Sequence, residues 1–300
     1  MYIFLVRMAI IYRYLERALL ATLSYGEVPK HIAMIMDGNR RYARTHNMPI
    51  KEGHLKGFAN AANIIEDLYQ LGVSTVSFFM FGVDNFKRDP NEIEDIMKII
   101  NDEVGKWVAP GGLAHRLEVC LSHCGERDML EPDLLGVLDY AMDITKNYRR
   151  VKVNLCIAYS GRREIVRGVR STARNQPVSF RYSSINESTG IEHDEKTVLK
   201  PTMVLVEPSI NGLKTNIISH RTKDLSLEAT RRILTHNLWT KDDPSPDIII
   251  RTSGETRLSD YMLWQCCENA QLNFINCFWP EIRVWHLARI VLGWRMGRTF

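Results

Sequence analysis

His31-Ile32-Ala33-Met34-Ile35-Met36, followed at once by Asp37-Gly38-Asn39-Arg40-Arg41, is the stretch that decides the fold. After its first residue the run 31–36 is apolar throughout and does not alternate, as in a strand covered on both faces of a parallel sheet. A glycine turn and the start of a helix follow. The first N–H groups of a helix have no partner inside it and carry the positive end of its dipole, so this layout suits a phosphate. Arg40 and Arg41 add forked donors. Asp37, at the strand end, is a candidate ligand for Mg²⁺, which takes one or two carboxylates plus substrate phosphates. An Asp-Gly-Asn turn with two solvated arginines has the same spacing, so both readings stand at this point.

The same rhythm runs outward from this stretch. Residues 74–81, 116–123, 151–158, 246–250 and 272–278 read as further strands, and 54–71, 90–107, 131–147, 161–173 and 226–239 as helices. Alternation of this kind predicts an α/β domain, a mostly parallel central sheet flanked by helices. Such sheets bind ligands beyond the C-terminal ends of their strands. Residues 175–223 break the rhythm: they are polar, rich in Ser and Asn, and read as a surface insertion inside the domain.

Three more polar segments follow expected strands or open a helix. Arg251-Thr252-Ser253-Gly254-Glu255-Thr256-Arg257-Leu258-Ser259 gathers guanidinium and hydroxyl donors around a small turn, which suits a second polyanion. Phe81–Arg88 carries Asn85, Phe86, Lys87 and Arg88. Gly53-His54-Leu55-Lys56-Gly57 sits at a helix start, and His54 alone reads more readily as a structural hydrogen-bonder than as a catalyst. Asp242-Asp243-Pro244-Ser245-Pro246-Asp247 reads as a loop. Neither a GxxxxGK[ST] nor a G-x-G-x-x-G pattern occurs, which argues against a P-loop nucleotidase or a dinucleotide binder.

Composition bounds the rest. The 300 residues are 45% hydrophobic and 25% charged, with a formal net charge of +4. That is ordinary globular usage without the electrostatic footprint of a nucleic-acid binder. Six irregularly spaced cysteines read as free thiols rather than a disulfide framework or a zinc site. Residues 1–23 are apolar but interrupted by Arg7, Arg13, Glu16 and Arg17, so no charge-free run approaches the ~20 residues that span a bilayer. At about 100° per residue these charges share one half of the wheel, with Phe4, Met8, Ile11, Leu15, Ala18 and Leu19 on the other. An amphipathic helix over 1–27 is expected, either lying in a membrane interface or docking on the domain at 28–300.

Together, HIAMIMDGNRRYAR, EGHLKGF, DNFKRDPNEIEDIM, NLCIAYSGRREI, PDIIIRTSGETRLSDYMLWQ and FWPEI, in this order from Pro29 to Glu281, resemble the cis-prenyltransferase family, nearest to eukaryotic dehydrodolichyl diphosphate synthase catalytic subunits. The resemblance implies an undecaprenyl diphosphate synthase-like fold. It also implies a transferase that extends an allylic diphosphate, such as farnesyl diphosphate, by successive isopentenyl diphosphates. The product would be a long-chain dehydrodolichyl diphosphate for dolichol synthesis and protein glycosylation.

By that likeness Asp37 binds Mg²⁺ and assists departure of the allylic diphosphate. Gly38, Asn39, Arg40, Arg41 and Tyr42 cradle that diphosphate, and His54 and Arg88 assist. Asn85 sits near the reacting carbons, with Phe86 beside the isoprenoid, and Arg251, Arg257 and Ser259 bind isopentenyl diphosphate. Glu92 matches a family acidic position. The helices 54–71 and 90–107 would wall an apolar tunnel. Gly82 and Asp84 stand where many members have Ser and Glu. Ala270 stands where a late metal-binding Glu is usual, which leaves Glu268 or a partner for that role. Arg295-Met296-Gly297 has the form of a C-terminal R-x-G but lies closer to the Trp-Pro pair than in bacterial homodimers, and reads as coincidental. The implied partners are a second copy or an accessory subunit and the cytosolic face of the endoplasmic reticulum membrane, with no nucleic acid. A non-catalytic accessory subunit is the competing reading; such subunits lose the first-loop Asp and last-loop arginines that this sequence keeps.

Overall fold

The computed structural model describes residues 2–175 and 230–297. Among them are the strands β1 (His31–Ile35), β2 (Thr75–Gly82), β3 (Val119–Cys124), β4 (Val151–Tyr159), β5 (Ile248–Arg251) and β6 (Gln271–Phe274). All pair in parallel, in the order β3-β4-β2-β1-β5-β6. The helices are α1 (Tyr2–Ser24), α2 (Asn39–Thr45), α3 (Ile50–Leu71), α4 (Pro90–Val108), α5 (Leu113–Leu117), α6 (Pro132–Thr145), α7 (Gly161–Asn175), α8 (230–236) and α9 (Val284–Gly297).

β1 and β5 are buried at every position, as the unbroken apolar runs predict. β6 alternates partly buried and exposed residues, as an edge strand does. From β1 the chain passes to β2 on one side, and later returns to β5 on the other. The C-terminal ends of β1 and β5 are therefore neighbours, in register at Ile35 and Arg251, where the order of such a sheet reverses and ligands bind.

The chain divides into two compact units, residues 1–165 with 242–300, and residues 166–241. The first holds the whole sheet. In the second, described over 166–175 and 230–241, Arg167 lies over the Trp239 ring at 5.1 Å and Asn237 accepts from Ser171 at 2.8 Å. Of the expected insertion at 175–223, everything from residue 176 on lies outside the described residues.

Several expected bounds shift for physical reasons. β3 begins at Val119 because α5 occupies Leu113–Leu117 and Glu118 ends it with φ 52°. β6 stops at Phe274. Residues 275–278 leave the sheet and bond to the loop after β5, Ser253 N donating to Cys277 O (2.7 Å) and Gly254 N to Ile275 O (3.0 Å). The acidic segment 242–247 is a loop at the opposite, N-terminal end of the strands. There Asp247 accepts from the Lys30 and His31 backbone N–H groups, and Asp243 pairs with Lys152 at 2.6 Å. His31 donates through Nδ1 to the Pro244 carbonyl, so its Nε2 accepts from the Ser77 hydroxyl. Burial holds its pKa below the usual histidine range, against the pull of Asp243 and Asp247.

α1 docks on the body through its C-terminal half. Leu20 and Leu23 are buried against the body, and Arg295 of α9 donates to the Leu23 and Glu27 carbonyls at its C-terminal end. Ile11, Tyr14 and Leu15 remain exposed. Engaged in this way, Arg295 closes a helix of its own chain.

Candidate active site

Two loops at the C-terminal edge of the sheet are laced together. The Thr252 hydroxyl donates to the Asp37 carbonyl (2.6 Å), and the Asp37 N–H returns a bond to the same oxygen (3.0 Å). Arg251 is buried beneath them. It donates to the Asp37 carboxylate at 2.8 Å and, from its other terminal nitrogen, to the Ser259 hydroxyl at 2.7 Å and to the Arg257 carbonyl. Ser253, Gly254, Ser259, Asp260 and Met262 all have positive φ, so the second loop curls tightly around the guanidinium.

Glycines set the position of the first loop. Gly38 has φ 107°, and a Cβ there would lie 2.9 Å from both the Ser253 hydroxyl and the Phe278 ring. On α3, a Cβ at Gly53 would lie 2.5 Å from the Asn39 carbonyl, and one at Gly57 would lie 2.4 Å from Asn39 Oδ1. These two side-chain-free positions, one turn apart, let α2 sit directly on α3. Trp279 completes the seat, its ring N–H donating to Gly57 O (2.7 Å) and its backbone N–H to Asp37 O (3.0 Å).

On the other side Glu92, in the first turn of α4, gathers the basic groups. It accepts from Arg88 at 3.1 Å and lies 3.7 Å from Arg40 and 3.5 Å from His54 Nε2. Burial pulls the His54 pKa below the ordinary range. Glu92 opposes this, and Arg88 and Arg40 add to it, so the imidazole is neutral at pH 7. Burial and Arg40 also lower the Arg88 pKa, which leaves the guanidinium charged. Asn85 Oδ1 accepts from Gly82 N at 2.8 Å, leaving the amide donors for a ligand.

The space enclosed is a cavity of about 590 Å³, in the range of a small-molecule site. Asp37, Gly38, Asn39, Arg40, Arg41, His54, Asn85, Arg88, Arg251, Arg257 and Ser259 all line it, so the residues singled out in three separate loops and one helix start meet in one place. Tyr42 and Phe86 do not line it. Tyr42 stacks on His46 with ring centroids 4.1 Å apart, and Phe86 packs edge-on against Phe81 at 4.9 Å. Arg251, expected to grip a ligand, has both terminal nitrogens occupied by the chain and acts as the brace between the loops.

Further lining residues were not singled out by sequence. Glu255 pairs with Arg257 and lies 3.3 Å from Arg41; its place within the Arg251–Ser259 segment was the available signal. Arg44 adds a cation one helical turn beyond Arg40. Phe79 forms part of the wall and is held by stacking on buried Tyr261 (4.8 Å) and by the edge of Tyr159 (6.0 Å). Ile35, Met36, Met80 and Ile96 supply the apolar end. The expected wall between α3 and α4 is partly core instead, since Phe58 and Trp107 pack on each other at 5.5 Å.

Among the described residues no group of three or more His, Cys, Asp or Glu side chains converges as a metal cage. Glu268 is exposed and is not a lining residue. Two carboxylates reach the cavity beside the anion-binding groups, Asp37 and Glu255, each with its side chain 29% exposed, and Glu255 is paired with Arg41 and Arg257. That donor set fits Mg²⁺ completed by diphosphate oxygens, and not a cation held by protein alone.

The family model described as "Putative undecaprenyl diphosphate synthase" matches residues 35–299. A dehydrodolichyl diphosphate synthase complex subunit of Schizosaccharomyces pombe is 31% identical over 94% of this chain and 90% of its own length. The corresponding Homo sapiens subunit is 31% identical over 95% of this chain and 72% of its own. The crystal structure of lavandulyl diphosphate synthase from Lavandula x intermedia with dimethylallyl diphosphate, 24% identical, covers 89% of this chain and 95% of its own with a TM-score of 0.66, a likeness of fold. With the matched segment spanning all the loops that meet at the cavity, the chain belongs to the cis-prenyltransferase family and is a prenyl-transferring enzyme.

Proposed function

We propose that this chain joins an allylic diphosphate, such as farnesyl diphosphate, to successive isopentenyl diphosphates, giving a long-chain polyprenyl diphosphate for dolichol. The observation that carries this reading is the meeting of Asp37 and Arg257, from the loops after β1 and β5, in one cavity. Six arginines and two carboxylates line that cavity, a cationic surplus suited to two diphosphates.

Arg40 and Arg41 bind the allylic diphosphate as forked donors. α2 has only 7 residues, so these side chains rather than a helix dipole hold the anion. Arg257, with Ser259 braced through Arg251, holds the isopentenyl diphosphate. Asn85 orients the reacting carbons. Holding both substrates in register makes the coupling effectively intramolecular. The new C–C bond forms at C1 of the allyl group as its C–O bond breaks, pyrophosphate leaving with the electron pair. The proton then lost from isopentenyl C2 passes to the freed pyrophosphate, a base already alongside. Asp37 would hold Mg²⁺, which when bound neutralises charge on the leaving group.

The accessory-subunit reading is disfavoured because Asp37 and the cavity arginines are present and assembled. A second chain, copy or accessory, could meet the sheet at β6, which ends the sheet among the described residues and leaves Leu272 and Phe274 exposed. No helix of the described residues is long and apolar enough to cross a membrane. Peripheral association with the endoplasmic reticulum through α1 rests on its exposed Ile11, Tyr14 and Leu15.

The test is incorporation of radiolabelled isopentenyl diphosphate with farnesyl diphosphate and Mg²⁺, by the chain alone and with an accessory subunit. Asp37→Ala is expected to lower turnover at least about a hundredfold. Near-normal turnover in that variant would reject the assignment.

A further inference from the structure

The membrane reading of α1 has a structural complement in α9. Tyr12 meets Trp285, with ring centroids 6.1 Å apart and the indole N–H donating to the tyrosine oxygen. Eleven residues further along α1, the Leu23 carbonyl meets Arg295, ten residues further along α9. Matched spacing between contacts at both ends means that the two helices run side by side in the same direction for about 15 Å, at 1.5 Å per residue.

Among the described residues, each helix seats one face on the body and leaves side chains of another face exposed. On α9, Val284, Leu287, Val291 and Trp294 are buried, while Trp285, Arg289, Leu292 and Met296 are exposed. The spacing of those four puts them on one stripe. Its apolar members are 43%, 45% and 61% exposed, unusual values for a Trp, a Leu and a Met on a water-facing helix. Beside it lies the uncovered Ile11, Tyr14 and Leu15 of α1.

The α9 stripe carries charge of one sign: Arg289 is exposed and α9 contains no acidic residue, whereas the charges of α1 (Arg13, Glu16 and Arg17) lie on the half of that helix away from Ile11 and Leu15. Aromatic rings with a polar edge, aliphatic side chains and arginines of this kind match the boundary between anionic headgroups and acyl chains.

We propose that α1 and α9 together form one docking face for an anionic phospholipid bilayer, with Trp285, Leu292 and Met296 inserting and Arg289 reaching the headgroups. The proposal rests on the membrane reading of α1 and adds a second helix to it. α1 commits Leu20 and Leu23 to the body, and the α9 stripe adds Trp285, Leu292 and Met296 to the exposed Ile11, Tyr14 and Leu15 of α1.

Co-sedimentation of the full chain with phosphatidylcholine vesicles, with and without phosphatidylserine, tests this. The α9 variant carries Trp285→Ser, Leu292→Ser and Met296→Ser; the α1 variant carries Ile11→Ser, Tyr14→Ser and Leu15→Ser. The α9 variant is expected to lose at least about tenfold in affinity for phosphatidylserine vesicles. Arg289→Glu, which touches no core, is expected to weaken binding to those vesicles and not to pure phosphatidylcholine. Solution turnover on a short allylic substrate in detergent is expected to be unchanged in both. Undiminished vesicle binding by the α9 variant and by Arg289→Glu, with loss in the α1 variant, would overturn the proposal and leave the α1 reading standing. Undiminished binding by every variant would overturn both. A change of oligomeric state in the α9 variant, with vesicle binding intact, would make this face a subunit interface and refute the proposal.

Discussion

Gly53→Ala opposes two forces whose balance can be worked from the structure. Gly53 lies in the first turns of α3, where replacing Gly by Ala ordinarily stabilises by about 1 kcal/mol. Here the new Cβ would lie 2.5 Å from the Asn39 carbonyl and 2.9 Å from the Ala43 side chain. Ordinary carbon contacts begin near about 3.5 Å, so α2 or α3 must move by about 1 Å. Neither obstacle is the far end of a flexible side chain, so the strain cannot be relieved by a rotamer. Overpacking of this kind costs about 1–3 kcal/mol, which cancels or exceeds the helix gain. The movement falls on Asn39 and Arg40, which line the cavity and are proposed to hold the diphosphate, and a displacement of about 1 Å at a positioning group costs on the order of 10² in rate. Gly57→Ala is expected to be milder, because the nearest atom there is the Asn39 side-chain oxygen, which can turn away. Gly136→Ala in α6, with nothing within 4 Å of the new Cβ, is the control, and should stabilise by about 1 kcal/mol with activity unchanged. Thermal melts and isopentenyl diphosphate incorporation read both quantities. A Gly53→Ala protein as stabilised as Gly136→Ala and fully active would refute the claim that α2 is seated by contact with α3.

Arg257→Ala should raise KM for isopentenyl diphosphate by about tenfold with a smaller change in kcat, whereas Glu255→Gln should lower that KM severalfold by freeing Arg41 and Arg257 from a competing carboxylate, an exposed pairing of up to about 1 kcal/mol. Steady-state kinetics decide, and a raised KM in Glu255→Gln would show that Glu255 orients the arginines instead. Asp67 on α3 has its pKa raised to about 7 by burial and by Glu16 and Glu66, against Arg283. A raised carboxyl pKa destabilises the fold progressively as pH climbs from about 4 to 7. Asp67→Asn should therefore gain stability over the parent through that range, reaching about 1–3 kcal/mol at pH 8 after allowance for partial exposure, and an equal gain in melts at pH 4 and pH 8 would exclude this cause. His31 and His123 are held neutral by burial, so the unfolded chain binds protons first as pH falls below about 6.5 and stability declines there. His31→Gln should flatten that decline in urea titrations, and an unaltered slope would assign it elsewhere.

The strands were legible because a parallel sheet buried on both faces writes unbroken apolar runs, and β1, β2, β4 and β5 follow theirs closely. The errors fall where tertiary contacts override the local pattern. Residues 275–278 are apolar enough for a strand, yet they fold over Ser253 and Gly254 and fix the loop after β5. The run from Arg116 includes Glu118, whose left-handed backbone ends α5 before β3 can start. At the site, Asp37, Arg40 and Arg257 carry charge next to glycines at strand ends and could be picked out. Glu255 has the spacing of any polar loop residue, and its partner Arg41, 3.3 Å away, is distant in sequence. Gly53 and Gly57 show why their spacing matters only once Asn39 is known to sit against them. Tyr42 stands next to the cradle in sequence but turns away from it, because consecutive residues on a helix face different directions.

The cationic lining separates into a fixed frame and an exchangeable rim, and this bears on how Asp37 should be probed. Arg40, Arg41 and Arg257 have side chains 46%, 43% and 62% exposed, and their carboxylate partners can give way to a diphosphate at little cost. The Arg251 side chain is only 4% exposed and keeps its charge out of water by donating to Asp37. Removing one member of such a pair strands the other. Asp37→Ala thus does two things, deleting the candidate metal ligand and leaving Arg251 with only the Ser259 and Arg257 oxygens. Its stability should fall by about 1–3 kcal/mol, short of a fully buried pair because the Asp37 side chain is 29% exposed. Asp37→Asn keeps an oxygen to accept from Arg251 while losing the anionic ligand, so its melt should stay nearer the parent although turnover collapses as in Asp37→Ala. Titrating Mg²⁺ in both variants separates the two effects, since a lost ligand resists rescue however well the loop is braced. If Asp37→Ala melted like the parent, Arg251 would not depend on Asp37, and the brace between the two loops would have to be sought in Thr252.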